Sequence, residues 1–305
     1  MIERSSERMI VLKRALILIC LFATLAAADE PLFDQELAWE LLVEQVEIGP
    51  RHPWAPGHEE TRWWLIERLE PLVDELTLHR FQHVPAFGEP LELCNIIGVL
   101  NPHAQRRVMI GAHWDTRLYA DEDPNPANRE LPVPGANDGA SGVAVLLELA
   151  RVFSEERPEV GVVFVLFDAE DQGRLSAMEF AYGSRRLADA ELLSYDWGVV
   201  VDMIGDADLN IHPEGHSLTL APRVVESIWD TAAGQGAVGF ESEPLHTVTD
   251  DHLPLLRGGL PTIDLIDFDY DVWHTIDDTP EHCSGDSLGQ VGRVLEALIR
   301  SESAG

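Results

Sequence analysis

The amino-acid sequence predicts an α/β fold in one domain, with a mostly parallel β-sheet and helices packed against it. Short apolar runs rich in β-branched residues, such as residues 160–167, alternate along the chain with amphipathic helical patterns. The 305 residues suffice for one large domain, and no repeat, low-complexity tract or linker divides them. Residue types that suit a metal follow several apolar runs, as expected where parallel strands end at one edge of a sheet.

The individual elements follow from periodicity and from apolar runs bounded by turns. Residues 33–46 and 59–72 show helical spacing of apolar side chains, with a Pro- and Gly-rich loop between them. Strands are predicted at residues 75–83, 91–99, 107–113, 160–167, 197–203 and 261–266. Further helices are predicted at residues 143–153, 178–187, 223–233 and 288–299. The long polar loop at residues 119–133 is typical of a site wall or lid.

Charge narrows the possible partners. The chain has 21 Lys and Arg against 54 Asp and Glu, a formal net charge of −33. Nucleic-acid binding needs a basic surface, so we expect no nucleic-acid partner, and an anionic membrane surface is an equally poor partner. The charge mainly indicates a well-solvated surface, although an acidic site would also favour a cationic peptide substrate.

The N-terminus has the pattern of an export signal. A basic flank at Lys13 and Arg14 precedes an apolar core at residues 15–25 and an Ala-Ala-Ala cleavage site ending at Ala28. We therefore expect residues 1–28 to be a signal peptide and residues 29–305 to be the mature domain, periplasmic or secreted. A lipoprotein signal at Cys20 is the weaker alternative, because the large Ile19 precedes it. No later segment is apolar enough to span a membrane.

The mature chain keeps two cysteines, Cys94 and Cys283. An exported compartment permits a disulfide between them, but the sequence favours two separate thiols. Neither cysteine lies in a Cys-x-x-Cys or Cys/His pattern, so cysteine is not expected to bind metal.

Candidate metal ligands lie soon after the predicted strands. They are His113, Asp138, Glu170, Asp171, Asp202 and His274. Asp138 is presented by the small-residue loop at residues 134–142, which leads into a helix. Imidazole and carboxylate ligands together suit Zn²⁺ better than Mg²⁺ or Ca²⁺. Asp202 carries a strong signal because a carboxylate inside an apolar run is costly unless it is paired or coordinated.

Each candidate also has a simpler interpretation. His113 and Asp115 would form a turn with a capping acid, and the Glu170-Asp171 pair would be a solvated strand end. If they form a site instead, Asp115 orients His113. The adjacent acids point in different directions, so one can hold metal while the other transfers protons.

Seven motifs resemble one family over residues 34–299. They are NIIG at 95–98, GAHWDT at 111–116, GANDGASG at 135–142, FDAED at 167–171, GSR at 183–185, DDHLP at 250–254 and VWHT at 272–275. The chain resembles the zinc-dependent M28 peptidase superfamily and, within it, the glutaminyl cyclases (glutaminyl-peptide cyclotransferases). The resemblance implies an α/β/α sandwich with a mixed, mostly parallel twisted sheet, as in zinc aminopeptidases.

The resemblance also implies roles for individual residues. The superfamily's metal positions fall on His113, Asp138, Asp171, Asp202 and His274. In the animal cyclases, one zinc is held at the positions of Asp138, Asp171 and His274. The residue matching Glu170 shuttles a proton there, and those matching Asp202 and Asp250 complete an acid network. In the dizinc aminopeptidases, the residue matching Asp138 bridges two metals and the one matching Glu170 is the general base.

Three features favour the cyclase over the aminopeptidase. Trp273 directly precedes His274, Asp250 stands where aminopeptidases usually have Ser, and Asp168 precedes the acidic pair. Their simpler interpretations are a packing aromatic, a helix cap and a turn residue. Asp171 departs from the family's usual Glu, and its shorter reach affects geometry or metal occupancy.

The sequence therefore predicts zinc-dependent cyclisation of an N-terminal glutamine to pyroglutamate with release of ammonia. The substrate is the N-terminus of a peptide or protein, whose own α-amine attacks the side-chain carbonyl while Glu170 moves the proton and Trp273 walls the pocket. One zinc ion is expected, with two as the alternative. The runner-up is a zinc aminopeptidase, followed by an inactive exported binding protein. The natural substrate and the oligomeric state do not follow from the sequence.

Overall fold

A six-stranded mixed sheet forms the centre of the protein, in a computed structural model that describes residues 32–85, 89–175 and 177–303. The strands are β1 (Glu75–His83), β2 (Leu91–Leu100), β3 (Arg107–His113), β4 (Gly161–Phe167), β5 (Trp197–Asp202) and β6 (Thr262–Ile266). Their spatial order is β1-β2-β4-β3-β5-β6. The β1–β2 and β2–β4 pairs are antiparallel, whereas β4, β3, β5 and β6 run parallel. The predicted α/β class with a mixed, mostly parallel sheet is confirmed.

Eight α-helices accompany the sheet in the described part of the chain. They are α1 (Gln35–Ile48), α2 (Pro56–Leu69), α3 (Ala140–Glu155), α4 (Tyr182–Asp189), α5 (Gly215–Leu220), α6 (Pro222–Gln235), α7 (His252–Arg257) and α8 (Gly285–Ser301). Single 3₁₀ turns lie at Glu70–Leu72 and Pro280–His282. The periodicity missed α5 and α7, because six residues complete too few turns to show a period of 3.6.

The sheet has a packed core on each face, which gives the predicted three-layer sandwich. Ile110 and Phe164 point into the core shared with α1, α3 and α8. Their neighbours Met109 and Val165 point into the second core, where α4 and α7 pack. Both faces are apolar, which explains why the central strands read as continuous apolar runs rather than as alternating patterns. The compact unit begins at Phe33.

The parallel strands deliver their C-terminal residues to one edge of the sheet. Strand β3 ends at His113, β5 ends at Asp202, and β4 ends three residues before Glu170. Helix α3 begins close to this edge because Gly142 lies against β5, where an added Cβ would meet the Val201 carbonyl oxygen at 2.3 Å. The topology therefore concentrates the predicted ligands in one place.

Several predictions concern the termini and cysteines. The signal peptide predicted for residues 1–28, with the alternative at Cys20, lies outside the described residues. Within the residues that are described, no helix has the length and apolar character needed to cross a membrane. Cys94 and Cys283 are both buried free thiols, as predicted.

Candidate metal centre and active site

Two groups of buried metal-ligand side chains meet at Asp138. On one side, His274 Nε2 lies 2.9 Å from Asp171 Oδ1 and 3.6 Å from Asp138 Oδ2. On the other side, His113 Nε2 lies 3.1 Å from Asp138 Oδ1 and 3.2 Å from Asp202 Oδ1. Within each group the ligand atoms all lie within 4.8 Å of one another. The fold thus brings together the five residues at which the resemblance places the superfamily's metal positions.

The chemistry of these groups fits a zinc ion. Asp138 Oδ2 and Asp171 Oδ2 are buried, and neither accepts a hydrogen bond from any residue that the structure describes. A buried carboxylate oxygen without a donor is costly unless a cation stands beside it. One imidazole nitrogen and two carboxylates, as in the Asp138–Asp171–His274 group, match the preferences of Zn²⁺. The His113 group shares Asp138, whose two oxygens face opposite sides as in a bridging ligand.

The loop that presents Asp138 is held in place through its backbone N–H groups. The Asp278 carboxylate accepts the backbone N–H groups of Asn137 at 2.8 Å and of Asp138 at 3.2 Å. Gly139 adopts φ +105°, and an added Cβ would meet the Asp115 carbonyl oxygen at 2.8 Å. Only glycine fits this position without strain, so the small residues of the motif serve to aim one carboxylate.

Arg51 also holds this loop, through hydrogen bonds to backbone carbonyl oxygens. The buried guanidinium donates hydrogen bonds to the carbonyl oxygens of Trp114, Pro134 and Gly135, at 3.2, 3.0 and 2.5 Å. Burial lowers the pKa of Arg51 to about 10, which still leaves the group charged at neutral pH. This role could not be predicted from the sequence, since a single Arg in a Pro-rich loop forms no pattern.

Asp115 holds the turn that carries the acidic pair. Its carboxylate accepts the backbone N–H groups of Glu170 at 2.9 Å and of Asp171 at 3.3 Å, and the Gln172 side-chain amide at 2.9 Å. Asp115 Oδ1 lies 3.6 Å from His113 Nδ1, which is longer than its contacts with the turn. Asp115 therefore fixes the turn more firmly than it orients His113. These contacts fix the backbone from which Asp171 reaches the ligand group.

We expect Asp171→Glu to weaken zinc binding by about 10-fold, although Glu is the family's usual residue. The Asp171 carboxylate already lies 2.9 Å from His274 Nε2 and 3.5 Å from Arg117 Nη1, so an added methylene has to displace one of them. Competition with a fluorescent chelator measures the affinity, with the exposed Asp230→Glu in α6 as the matched control. Equal or tighter zinc binding by Asp171→Glu would contradict this account of the turn.

A cavity of about 540 Å³ opens over the Asp138–Asp171–His274 group. The other predicted site residues also line it: Glu170, Asp202, Asp250 and Trp273. The Trp273 ring stacks on the His274 ring, with centroids 3.7 Å apart and planes 23° apart. His113 does not line the cavity and lies buried beneath it. The cavity therefore gives a substrate direct access to the His274 group.

Two acids of the cavity wall, Glu170 and Asp202, hold protons more strongly than ordinary carboxyl groups. Burial and the neighbouring Asp250 carboxylate raise the pKa of Glu170 well above its usual value. Burial also raises the pKa of Asp202, to about 7, against the opposing effect of His113. Raised acid pKa values beside a metal-ligand group are typical of sites that transfer protons.

Parts of the cavity wall were missed at the level of sequence. Besides the predicted residues, the wall includes Arg174, Met178, Phe180, Met203, Thr247, Val248, Thr249, Ile266 and Phe268. Most of these lie in loops without a motif. Asp168, used above as a cyclase feature, is not in the wall: it accepts the Cys94 backbone N–H at 2.6 Å and lies 2.8 Å from His58 Nε2. Its role is to brace the ends of β2 and β4.

An α/β/α fold with metal-ligand groups and buried acids at one sheet edge defines a class of metallopeptidase-like proteins. Within that class, the chain belongs to Peptidase family M28, whose profile matches residues 95–299. It is similar to the crystal structure of a Bacteroides thetaiotaomicron glutaminyl cyclase bound to N-acetylhistamine, with 33% sequence identity and a TM-score of 0.85. That match covers 90% of this chain and 99% of the other.

Two further relatives carry different activities in their names. A Zn-dependent exopeptidase from Parabacteroides distasonis is similar at 30% identity and a TM-score of 0.85, over 89% of this chain and 99% of the other. The glutaminyl-peptide cyclotransferase of Bos taurus is 26% identical over 295 residues, which cover 82% of this chain and 77% of the relative. Membership of the family is thus accompanied by likeness to both cyclases and an exopeptidase.

Proposed function

We propose that the protein is a zinc-dependent glutaminyl-peptide cyclotransferase. It converts the N-terminal glutamine of a peptide or protein to pyroglutamate and releases ammonia. The observation that carries the proposal is the buried acid set of Glu170, Asp202 and Asp250 in the wall of the cavity that opens onto His274. Likeness to glutaminyl cyclases over nine-tenths of the chain supports the same activity.

One zinc ion is assigned in this proposal to Asp138, Asp171 and His274. When bound there, zinc supplies a Lewis acid that polarises the side-chain carbonyl of the substrate glutamine. His113 Nε2 lies 3.1 Å from Oδ1 of Asp138 and keeps that carboxylate in place, and the same nitrogen lies 3.2 Å from Asp202 Oδ1. The proton transfer and the exclusion of water are carried out by side chains of the protein.

Glu170 is the proton carrier of the reaction. The substrate α-amine forms a bond to its own side-chain carbonyl carbon, and the bond from that carbon to the amide nitrogen breaks. Glu170 accepts the proton that the attacking amine loses and returns a proton to the departing nitrogen, which leaves as ammonia. Burial and the Asp250 carboxylate raise its pKa well above the usual value, so the Glu170 carboxylate is a stronger base than an ordinary glutamate. The backbone N–H of Ala181 donates to Glu170 Oε1 at 3.1 Å and fixes its direction.

Asp250 and Trp273 shape the environment of that proton transfer. Asp250 lies in the wall close enough to Glu170 to raise its pKa, so it stabilises the protonated state of Glu170. Trp273, stacked on His274, closes one side of the cavity with an apolar surface and excludes water. Excluding water favours attack by the substrate's own amine over hydrolysis.

A zinc exopeptidase is the second candidate. The observation that favours it is the second ligand group, His113–Asp138–Asp202, which shares Asp138 as a dinuclear site would. In that case Glu170 would serve as general base for an attacking water. The Parabacteroides distasonis relative supports this candidate.

Mass spectrometry of two peptides separates the candidates. We expect the zinc-loaded protein to remove 17 mass units, the mass of ammonia, from a Gln-initiated peptide and to leave a Leu-initiated peptide intact. A heat-inactivated sample controls for spontaneous cyclisation of glutamine. Loss of the first residue from either peptide would replace the cyclase by the exopeptidase.

A further inference from the structure

A second buried cluster lies behind Asp250 and outside both ligand groups at Asp138. At its centre is His252, which has a carboxylate beside each ring nitrogen. The Nε2 atom lies 3.3 Å from Glu214 Oε2, and the Nδ1 atom lies 3.3 Å from Asp264 Oδ2. His252 and Asp264 are fully buried, and Glu214 is only 1% exposed. The function proposed above uses none of these three residues.

Glu214 is the immobile end of this cluster. Its carboxylate accepts the backbone N–H groups of His216 at 2.8 Å and of Ser217 at 2.7 Å, and the Ser217 hydroxyl at 2.8 Å. The backbone N–H of Val248, from the cavity wall, donates to it at 3.2 Å. A carboxylate held by four donors at the start of α5 gives the imidazole a fixed anchor.

Asp264 connects the imidazole to the cavity wall. It lies in the middle of β6, where the Ser217 hydroxyl accepts its backbone N–H at 3.1 Å. Ligand atoms of Asp264, His252 and Asp250 lie within 4.8 Å of one another. Both Asp264 oxygens, Asp250 Oδ2 and both His252 ring nitrogens are buried, and among the residues described none of these atoms makes an aligned hydrogen bond. Two buried carboxyl groups this close are stable only if a proton or a cation stands between them.

We propose that Glu214, His252 and Asp264 form a buried chain of polar contacts that holds the Asp250 carboxyl group in the cavity wall. His252 and Asp264 are thus positioning residues, which act on the reaction through Asp250. Asp264 carries the shared proton and donates it to Asp250, while His252, anchored on Glu214, holds Asp264 from behind. The inference deepens the proposed cyclase function and, for its activity readout, rests on it.

Two variants with the same branched arrangement of side-chain atoms test the chain at Asp264. The Asp264→Asn side chain keeps a donor towards Asp250, and we expect its kcat to stay within about 3-fold of wild type. The Asp264→Leu side chain has no donor, and we expect its kcat on the Gln-initiated peptide to fall about 30-fold with KM within about 2-fold. Glu148→Leu removes a buried carboxylate in α3 that does not line the cavity, and is the matched control with unchanged kcat.

Three results of the activity and metal measurements would overturn the proposal. If Asp264→Asn is as impaired as Asp264→Leu, the hydrogen-bond donor at this position is irrelevant to the reaction. If Asp264→Leu keeps full kcat, the whole chain of contacts is irrelevant to it. Loss of one metal equivalent in Asp264→Leu would mean that Asp250, His252 and Asp264 bind a cation instead. If Asp264→Leu does not fold, His252→Gln is measured in its place, since one amide cannot reach both carboxylates.

Crystal structures of the two Asp264 variants separate this proposal from the cyclase proposal. If the wild-type protein does not cyclise glutamine, the proposed function falls, but the position of the Asp250 side chain still decides the present inference. We expect Asp250 to keep its wild-type conformation in Asp264→Asn and to rotate in Asp264→Leu. An unmoved Asp250 in Asp264→Leu would overturn the chain, whatever the reaction is.

Discussion

Glu170→Gln is expected to lower kcat on a Gln-initiated peptide by about 10³-fold while zinc content stays at the wild-type level. Glutamine has the size of glutamate and keeps an oxygen for the Ala181 backbone N–H, which donates to Glu170 Oε1 at 3.1 Å. It cannot accept the proton of the attacking amine. Since Glu170 is not in either ligand group at Asp138, its loss leaves the metal ligands intact.

The measurement combines single-turnover kinetics with metal analysis of the same sample. Glu148→Gln provides the control, because Glu148 is also a buried glutamate but lies in α3 and pairs with Arg151. The control should keep wild-type kcat. Wild-type turnover by Glu170→Gln would remove Glu170 from the mechanism, and loss of zinc from it would make Glu170 a ligand instead of a proton carrier.

Much of the site was accessible from sequence because the fold places strand ends together. An apolar run followed by a histidine or an acid predicted the positions of His113, Glu170 and Asp202, and a parallel sheet aligns such ends along one edge. Asp138 and His274 lie on loops, and the motifs around them identified them as candidate metal ligands. The local pattern thus sufficed wherever a ligand is close in sequence to a buried strand.

The cluster behind Asp250 was missed although the signal for it was present. Asp264 is a carboxylate inside the apolar run of β6, the same feature that singled out Asp202 in β5. Asp264 was nevertheless missed because of the residues that it contacts. Glu214 and His252 lie in loops and short helices that have no periodicity, so their approach to Asp264 depends on the tertiary fold alone.

The order of the strands and the contacts that support the site could not be predicted from local sequence patterns. The antiparallel placement of β2 beside β4 depends on non-local pairing, which the local pattern of either strand does not encode. Arg51 and Asp115 support the site through backbone groups of distant loops. Contacts of a side chain with a backbone carbonyl or N–H place no constraint on the partner's residue type, so they leave no sequence signal.

His274→Ala is expected to lower bound zinc from about one equivalent to below about 0.1 and to abolish measurable cyclisation. The imidazole supplies the only nitrogen ligand of the Asp138–Asp171–His274 group. Without it, two carboxylates remain, which hold Zn²⁺ weakly. Metal analysis after dialysis against a weak chelator measures the content, and calorimetry with added zinc measures the remaining affinity.

His113→Ala is the matched variant, because it removes the imidazole of the other ligand group at Asp138. If one zinc ion is bound by the His274 group, His113→Ala keeps about one equivalent of zinc while His274→Ala loses it. Two equivalents in the wild-type protein, with one lost in each variant, would contradict the single-zinc assignment. That result would favour the exopeptidase candidate, because Asp138 would then bridge two metal ions as its two oxygens permit.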